Sequence, residues 1–258
     1  MAEWRKNMKR VKLIVAYDGT NYHGWQTQPN AVTIEEVLNH HLSELLKEEI
    51  KVIGASRTDA GVHALGNVAV FDTSARMPAD KISYALNTRL PEDIRIQDSC
   101  EVPSDFHPRF QKTTKTYEYR ILNRRFPDPT RRLNSFFYYY PLDVVKMQEA
   151  SLYLVGEHDF KSFCANRHMK KSTVRTIFDI SIEEQDGILR IRYHGDGFLY
   201  NMVRILTGKL IEVGTGNRAP FQIPMILDGL DRSLAGFTAP PNALFLVDVF
   251  YPDTVPEV

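Results

Sequence analysis

Residues 55–66 read Ala-Ser-Arg-Thr-Asp-Ala-Gly-Val-His-Ala-Leu-Gly and bring Arg57, Thr58, Asp59 and His63 together among small side chains. Small neighbours let a ligand approach closely, and a loop held between two expected strands is a common place for reactive groups. The chemistry open to such a set is nucleophilic or general-base action by Asp59. A plainer reading uses the same residues: Asp59 caps a turn, and Arg57 is its ion-pair partner.

Several other chemistries lack their parts. A zinc deaminase requires H-x-E and P-C-x-x-C, and the sequence contains neither. A phosphate-binding P-loop requires G-x-x-x-x-G-K-[ST]; Leu206-Thr207-Gly208-Lys209 lacks the first glycine and the final hydroxyl. Asp59 and His63 stand four apart, but two ligands make too sparse a metal site, and His63 reads as a packed or hydrogen-bonded loop residue. A glycosidase needs a second placed acid, and none stands out beside Asp59. Cys100 and Cys164 show no metal-ligand spacing and supply no disulfide framework.

The loop must be held by regular elements. Residues 11–17 (VKLIVAY) are apolar and β-branched and end at the turn signal Asp18-Gly19. Thr33, with Glu36 three residues on, forms a capping box before Ile34, Val37, Leu38, His41, Leu42, Leu45 and Leu46 at helical spacing. Ile50–Ala55 and Asn67–Asp72 read as strands flanking the loop, Pro78–Leu90 as a helix and Ile94–Val102 as a strand. This β-α-β-β-α-β order predicts a ferredoxin-like half over residues 1–104.

Residues 105–258 read as a second, looser copy with insertions. Strands are expected at Lys115–Leu122, Asn134–Tyr140 and Ala243–Tyr251. Helices are expected at Asp143–Leu154, Phe198–Val213 and Phe221–Leu230. Val174–Glu183 and Ile188–His194 alternate around Gln185-Asp186-Gly187, a strong hairpin signal. The fold expected is α+β: two ferredoxin-like halves in a mixed, mostly antiparallel sheet, helices on one face, and a cleft between the halves free for a ligand or partner.

The 258 residues carry 43% hydrophobic and 25% charged side chains, the balance of an ordinary globular protein. No apolar run approaches the roughly eighteen residues of a membrane span, and a reducing cytoplasm is the expected home. The formal charge is zero but unevenly spread: residues 105–132 carry a net +5, residues 161–175 five cations and no acid, and residues 1–12 a net +4. Such stretches suit one face kept for a polyanion and equally suit scattered solvated lysines.

Arg57-Thr58-Asp59-Ala60-Gly61-Val62-His63-Ala64 resembles the signature of the tRNA pseudouridine synthase A family. Five further stretches resemble its other motifs in family order. They are Ala16–Gly19 with Gly24-Trp25-Gln26, Phe106–Phe110 with Lys115–Tyr119, Gly156–Phe160, Gly197–Arg204, and Ala239–Leu244. Ser56 and Ala243 depart from the glycines common at those places, and both remain small.

The resemblance implies conversion of uridine to pseudouridine at positions 38, 39 and 40 of the tRNA anticodon stem-loop. It implies a homodimer and no cofactor or metal. It assigns Asp59 as the catalytic carboxylate, Arg204 as its basic partner, Tyr117 as the aromatic on the flipped uracil and Leu244 as an apolar pocket wall. Arg57 would hold phosphate or help displace the target base. The rival from another class is a non-catalytic RNA-binding module; its aromatic signature does not fit Tyr117-Glu118-Tyr119-Arg120-Ile121.

Overall fold

The computed structural model describes residues 8–166 and 168–252; the expected contributions of Glu3, Arg5, Lys6 and Arg167 to basic stretches lie outside them. The elements in chain order are β1 (Lys9–Tyr17), α1 (Ile34–Leu46), β2 (Ile53–Gly54), β3 (His63–Thr73), α2 (Ala79–Asn87) and β4 (Ile94–Val102). Then follow β5 (Thr114–Asn123), β6 (Phe136–Tyr138), α3 (Val144–Leu152), β7 (Gly156–Asp159), β8 (Val174–Gln185), β9 (Ile188–Gly195), α4 (Met202–Gly214), α5 (Ile223–Asp228) and β10 (Leu244–Phe250). The chain packs as two units, one of residues up to Thr113 together with those from Leu246 on, the other Thr114–Phe245.

In the first unit β1 buries Val11, Leu13, Val15 and Tyr17, every second residue, as a pleated strand with one covered face requires. It pairs antiparallel with β3 on one side (Leu13 opposite Ala69) and with β4 on the other (Leu13 opposite Ser99). The two-residue β2 pairs antiparallel with β3, completing the order β4-β1-β3-β2 of a ferredoxin-like half. Helix α1 begins where expected, the Thr33 hydroxyl accepting from the Glu36 amide at 3.4 Å. Its buried stripe Ile34, Leu38, Leu42 and Leu46 repeats every four residues, and each such burial stabilises by roughly 1.5–3 kcal/mol. Asn87, the last residue of α2, exchanges two 2.8 Å hydrogen bonds with the Ile96 backbone and so ties the helix to β4.

The strand expected over Ile50–Ala55 shrinks to Ile53–Gly54 for a local reason. The Ile50 amide donates to the Ser43 hydroxyl (2.9 Å) and the Val52 amide to the Asn39 side chain (2.8 Å), so α1 takes the donors a ladder would need.

In the second unit β5, β9, β8 and β7 lie side by side, each pair antiparallel, and β6 runs parallel to β5. The fold is therefore α+β with mixed, mostly antiparallel strands, as the sequence predicted. The β8–β9 hairpin turns on Asp186 (φ 56°) and Gly187 (φ 71°), the two left-handed residues that a two-residue loop of matching twist demands. Tyr117, Tyr119 and Ile121 of β5 share one buried face with Ile191 and Tyr193 of β9 and Ile180 and Ile182 of β8. Helix α4 is buried almost all round, only Arg204 and Glu212 reaching partial exposure, which marks it as the central helix of this unit. The Tyr193 hydroxyl meets the Thr207 hydroxyl at 2.8 Å and joins sheet to helix.

Helix α4 starts at Met202 rather than at the expected Phe198, because Asn201 sits in the left-handed region (φ 59°) and breaks the run. Of the expected Asn134–Tyr140 strand only Phe136–Tyr138 pairs. Among the described residues no helix is long and apolar enough to cross a membrane.

Candidate active site

The Asp59 loop is fixed from both ends. At its start the Ala55 amide donates to the Val68 carbonyl at 2.7 Å. The buried Asn67 side chain then accepts from the Ser56 amide (3.3 Å) and donates to the Ser56 carbonyl (3.0 Å), closing a two-point clamp. One residue before Asp59, the Thr58 hydroxyl lies 2.7 Å from the Tyr17 hydroxyl, and the Thr58 carbonyl accepts from the Trp25 amide at 3.1 Å. After it, the Val62 amide donates to the Asp59 carbonyl (3.1 Å) and the Gly61 amide to the Tyr22 carbonyl (3.2 Å).

Asp59 is thus a half-buried carboxylate on backbone held at almost every residue. Such preorganisation keeps a reactive group in one geometry and spares the reaction the entropy of ordering it. Thr58 and Trp25, buried beneath the loop, were quoted in the sequence without a role.

His63 is 2% exposed, and its Nδ1 lies 3.1 Å from both the Gly19 amide and the Asp18 carboxylate. That nitrogen accepts from the Gly19 amide when bare and donates to Asp18 when it carries a hydrogen, so His63 is a hydrogen-bonded residue of the loop, as expected. The Asp18 carboxyl is pushed up by burial, but the Thr20 hydrogen bonds and His63 outweigh this and hold it below the usual range.

Arg57 is exposed and belongs to the same loop. Arg109 is drawn down from its ordinary value by burial first and by the charge of Arg57 second, with Glu35 opposing. Like charges that disfavour each other are relieved by a bound anion, such as a phosphate. Arg109 did not stand out in the sequence; its signal was the Phe106–Phe110 motif.

The remaining candidates belong to the second unit. Tyr117 is 8% exposed on β5, and its ring meets Phe198 edge-on, centroids 5.2 Å apart and planes at 81°. Arg204, in the first turn of α4, donates from Nε to the Ala239 carbonyl and from Nη1 to the Asn201 side chain, both at 2.7 Å, while its own carbonyl accepts from the Ala239 amide. These bonds fix the plane of the guanidinium. Leu244 is buried at the start of β10, just after the turn Pro241–Ala243. Phe198, Asn201 and Ala239 thus orient Tyr117 and Arg204; the sequence offered them only as members of motifs.

One face of this unit's sheet holds a second cluster. Glu118 is buried, with Arg120 and Arg192 donating to its two oxygens at 2.7 and 2.8 Å and Arg190 3.8 Å away. Burial pushes the carboxyl up, and the two hydrogen-bonded arginines more than offset it, leaving its pKa below the usual range. Arg120 also stacks 3.8 Å over the Phe245 ring.

Comparison with known proteins places these residues in a family. The model of a family described as tRNA pseudouridine synthase matches residues 13–111 and 150–252. The matched segments include Arg57, Asp59, Arg204 and Leu244, whereas Tyr117 falls between them. The chain is 48% identical over 244 residues to the tRNA pseudouridine synthase A of Acetivibrio thermocellus, a match covering 95% of this chain and 100% of that one. A Thermoanaerobacter species protein of the same name is 47% identical, and that of Geotalea uraniireducens 46%, with the same coverage.

Proposed function

This chain belongs to the tRNA pseudouridine synthase family, and from that premise we propose that it isomerises uridine to pseudouridine in tRNA, at positions 38, 39 and 40 of the anticodon stem-loop. The reaction breaks the N1–C1′ bond, turns the detached uracil and joins its C5 to C1′; the C5 hydrogen leaves as a proton and N1 gains one. Atoms and electrons balance within the substrate and water, so the chemistry asks for no redox partner.

Asp59 is the carboxylate that acts at the sugar or base while the glycosidic bond breaks. The observation that carries this assignment is the loop around it, whose backbone is fixed from Ala55 through Val62 by hydrogen bonds with Tyr22, Trp25, Asn67 and Val68 and whose Thr58 hydroxyl meets that of Tyr17. A carboxylate used once per turnover gains from such rigidity; a turn cap does not need it. Arg204 is its basic partner by the family resemblance, a guanidinium whose fixed charge and two-point geometry suit a carboxylate. Tyr117 stacks on the uracil and presents its hydroxyl for the proton transfer at C5, Leu244 walls the pocket, and the Arg57–Arg109 pair holds a phosphate next to the flipped nucleotide. Taking that nucleotide out of its stack costs a few kcal/mol, to be met by stacking and phosphate contacts. A homodimer working on cytoplasmic tRNA completes the proposal, supported by the family resemblance.

The test is incubation of tRNA carrying tritium at uracil C5 with purified protein. Stoichiometric release of tritium to water, with pseudouridine in the digested RNA, is the expected result. Binding without release leaves only an RNA-binding module and contradicts the proposal.

A further inference from the structure

Segment 124–140, joining β5 to the end of β6, carries a surface that the reaction at Asp59 does not use. Phe126, Tyr139 and Tyr140 are 64%, 58% and 64% exposed. Large aromatics left together in water mark binding sites more often than chance. The two tyrosines continue a run of rings from β6: centroids lie 5.8 Å apart for Phe136–Tyr138, 6.2 Å for Tyr138–Tyr140 and 5.3 Å for Tyr139–Tyr140.

Their backbone is also held in place. The Asn123 side chain donates to the carbonyls of Tyr138 (2.9 Å) and Tyr140 (2.8 Å) and accepts from the Leu142 amide (3.2 Å). This clamp takes the carbonyls that would extend the ladder past Tyr138 and presents the tyrosines with little left to order on binding. Arg124, Arg125, Arg131 and Arg132 face Asp128 alone, a net +3 over the segment. The Arg125 guanidinium lies 5.0 Å from the Phe126 ring centroid. Asn123, Arg124, Arg125, Tyr139 and Pro141 line a cavity of about 290 Å³, at the low end of ligand pockets and suited to one flat ring.

We propose that this patch is an accessory RNA-docking site: one unpaired base of the tRNA stacks on Tyr139, and the neighbouring phosphates rest on Arg124 and Arg125. Aromatic platforms beside arginines are the physical requirements of single-stranded nucleic-acid binding, because every base has a π-face and every linkage a charge. A second copy of this chain is a poorer occupant. A two-fold interface would set the +3 patch against itself. The site rests on the tRNA-modifying reading and deepens it by adding a contact away from the target uridine's own chemistry.

The test compares wild type with Arg125→Ala, Tyr139→Phe and the Arg125→Ala/Tyr139→Ala double variant, using full-length tRNA, anisotropy titrations at several salt concentrations, and single-turnover tritium release at saturating enzyme. The double variant is expected to bind tRNA about tenfold or more weakly, with its saturating rate within twofold of wild type and an unchanged melting temperature. Tyr139→Phe keeps the ring and should bind like wild type, while Arg125→Ala should lower the salt slope by about one. Wild-type affinity and slope in the double variant overturn the site, as does a shift from dimer to monomer in sedimentation, which would assign the patch to a second copy. If wild-type protein bound tRNA but released no tritium, the catalytic reading would fail while the binding comparison still decided the patch.

Discussion

Gly24 passes so close to Thr58 that a methyl group on its α-carbon would stand 2.6 Å from the Thr58 carbonyl oxygen, and Gly24 itself holds φ at +88°. Both facts forbid a side chain here: the backbone conformation disfavours L-residues, and the obstacle is peptide backbone that cannot swing away. The carbonyl in question is one peptide from Asp59.

Gly24→Ala should therefore destabilise by roughly 1–3 kcal/mol and lower the rate of tritium release at saturation by more than tenfold, because the strain is relieved by moving the Asp59 loop. Thermal melting and single-turnover assays read the two effects separately. Wild-type rates in Gly24→Ala would show that the loop tolerates displacement.

Glu118 makes a pH prediction with a definite sign. Its carboxyl is held below the ordinary range, so its ionised form favours the folded state. That contribution is complete above the unfolded value of about 4.3 and is lost as pH falls through the folded value. Denaturant titrations of wild type should show stability dropping steeply below about pH 4. Glu118→Gln should be less stable at neutral pH by about 1–3 kcal/mol and flatter across the acid range. Parallel pH curves for the two proteins would contradict the pairing.

Much of this could be read from residue order, and the exceptions have local causes. Thr33 and Asp143 capped helices as their side-chain chemistry requires, the latter accepting from the Lys146 amide at 3.1 Å. Asp186-Gly187 turned the hairpin because few other pairs take two left-handed conformations at so little cost. What pattern missed was decided by distant partners: Ser43 and Asn39 shortened β2, and Asn123 ended β6 early. Strand β7, Gly156–Asp159, escaped notice because Gly, Glu, His and Asp carry no strand signal and pair only because β8 is there. At the site, Asp59 and Arg57 alone fitted a capped turn as well as catalysis. The catalytic reading came from the family resemblance, and the clamps by Asn67 and Tyr17 were invisible because they come from residues distant in sequence.

Tyr117→Phe keeps the ring that meets Phe198 edge-on and should fold. If the hydroxyl serves proton transfer at C5, tRNA affinity should stay near wild type while the single-turnover rate falls by about two orders of magnitude or more. A wild-type rate in Tyr117→Phe, with loss only in Tyr117→Ala, would reduce its role to stacking.

Lys170 and Lys171 are exposed and line a groove of about 750 Å³ together with Lys161 and Arg232. Reversing both charges should weaken tRNA binding and lower its salt slope by about two, one for each phosphate that is no longer neutralised, leaving the saturating rate unchanged. Unaltered affinity and slope would show that this groove takes no RNA.

The most direct measurement is tritium release by Asp59→Asn. The amide is nearly isosteric, so the hydrogen bonds from the Val62 amide and around Thr58, which involve backbone and neighbouring side chains, persist, while the nucleophilic charge is gone. Loss of a covalent or basic catalyst removes many orders of magnitude in rate that binding alone does not restore. The predicted result is a protein with wild-type melting behaviour and tRNA affinity within about tenfold, roughly 1.4 kcal/mol, that releases no detectable C5 tritium. A stable Asp59→Asn protein that turns over at more than a few per cent of the wild-type rate would contradict the account at its centre.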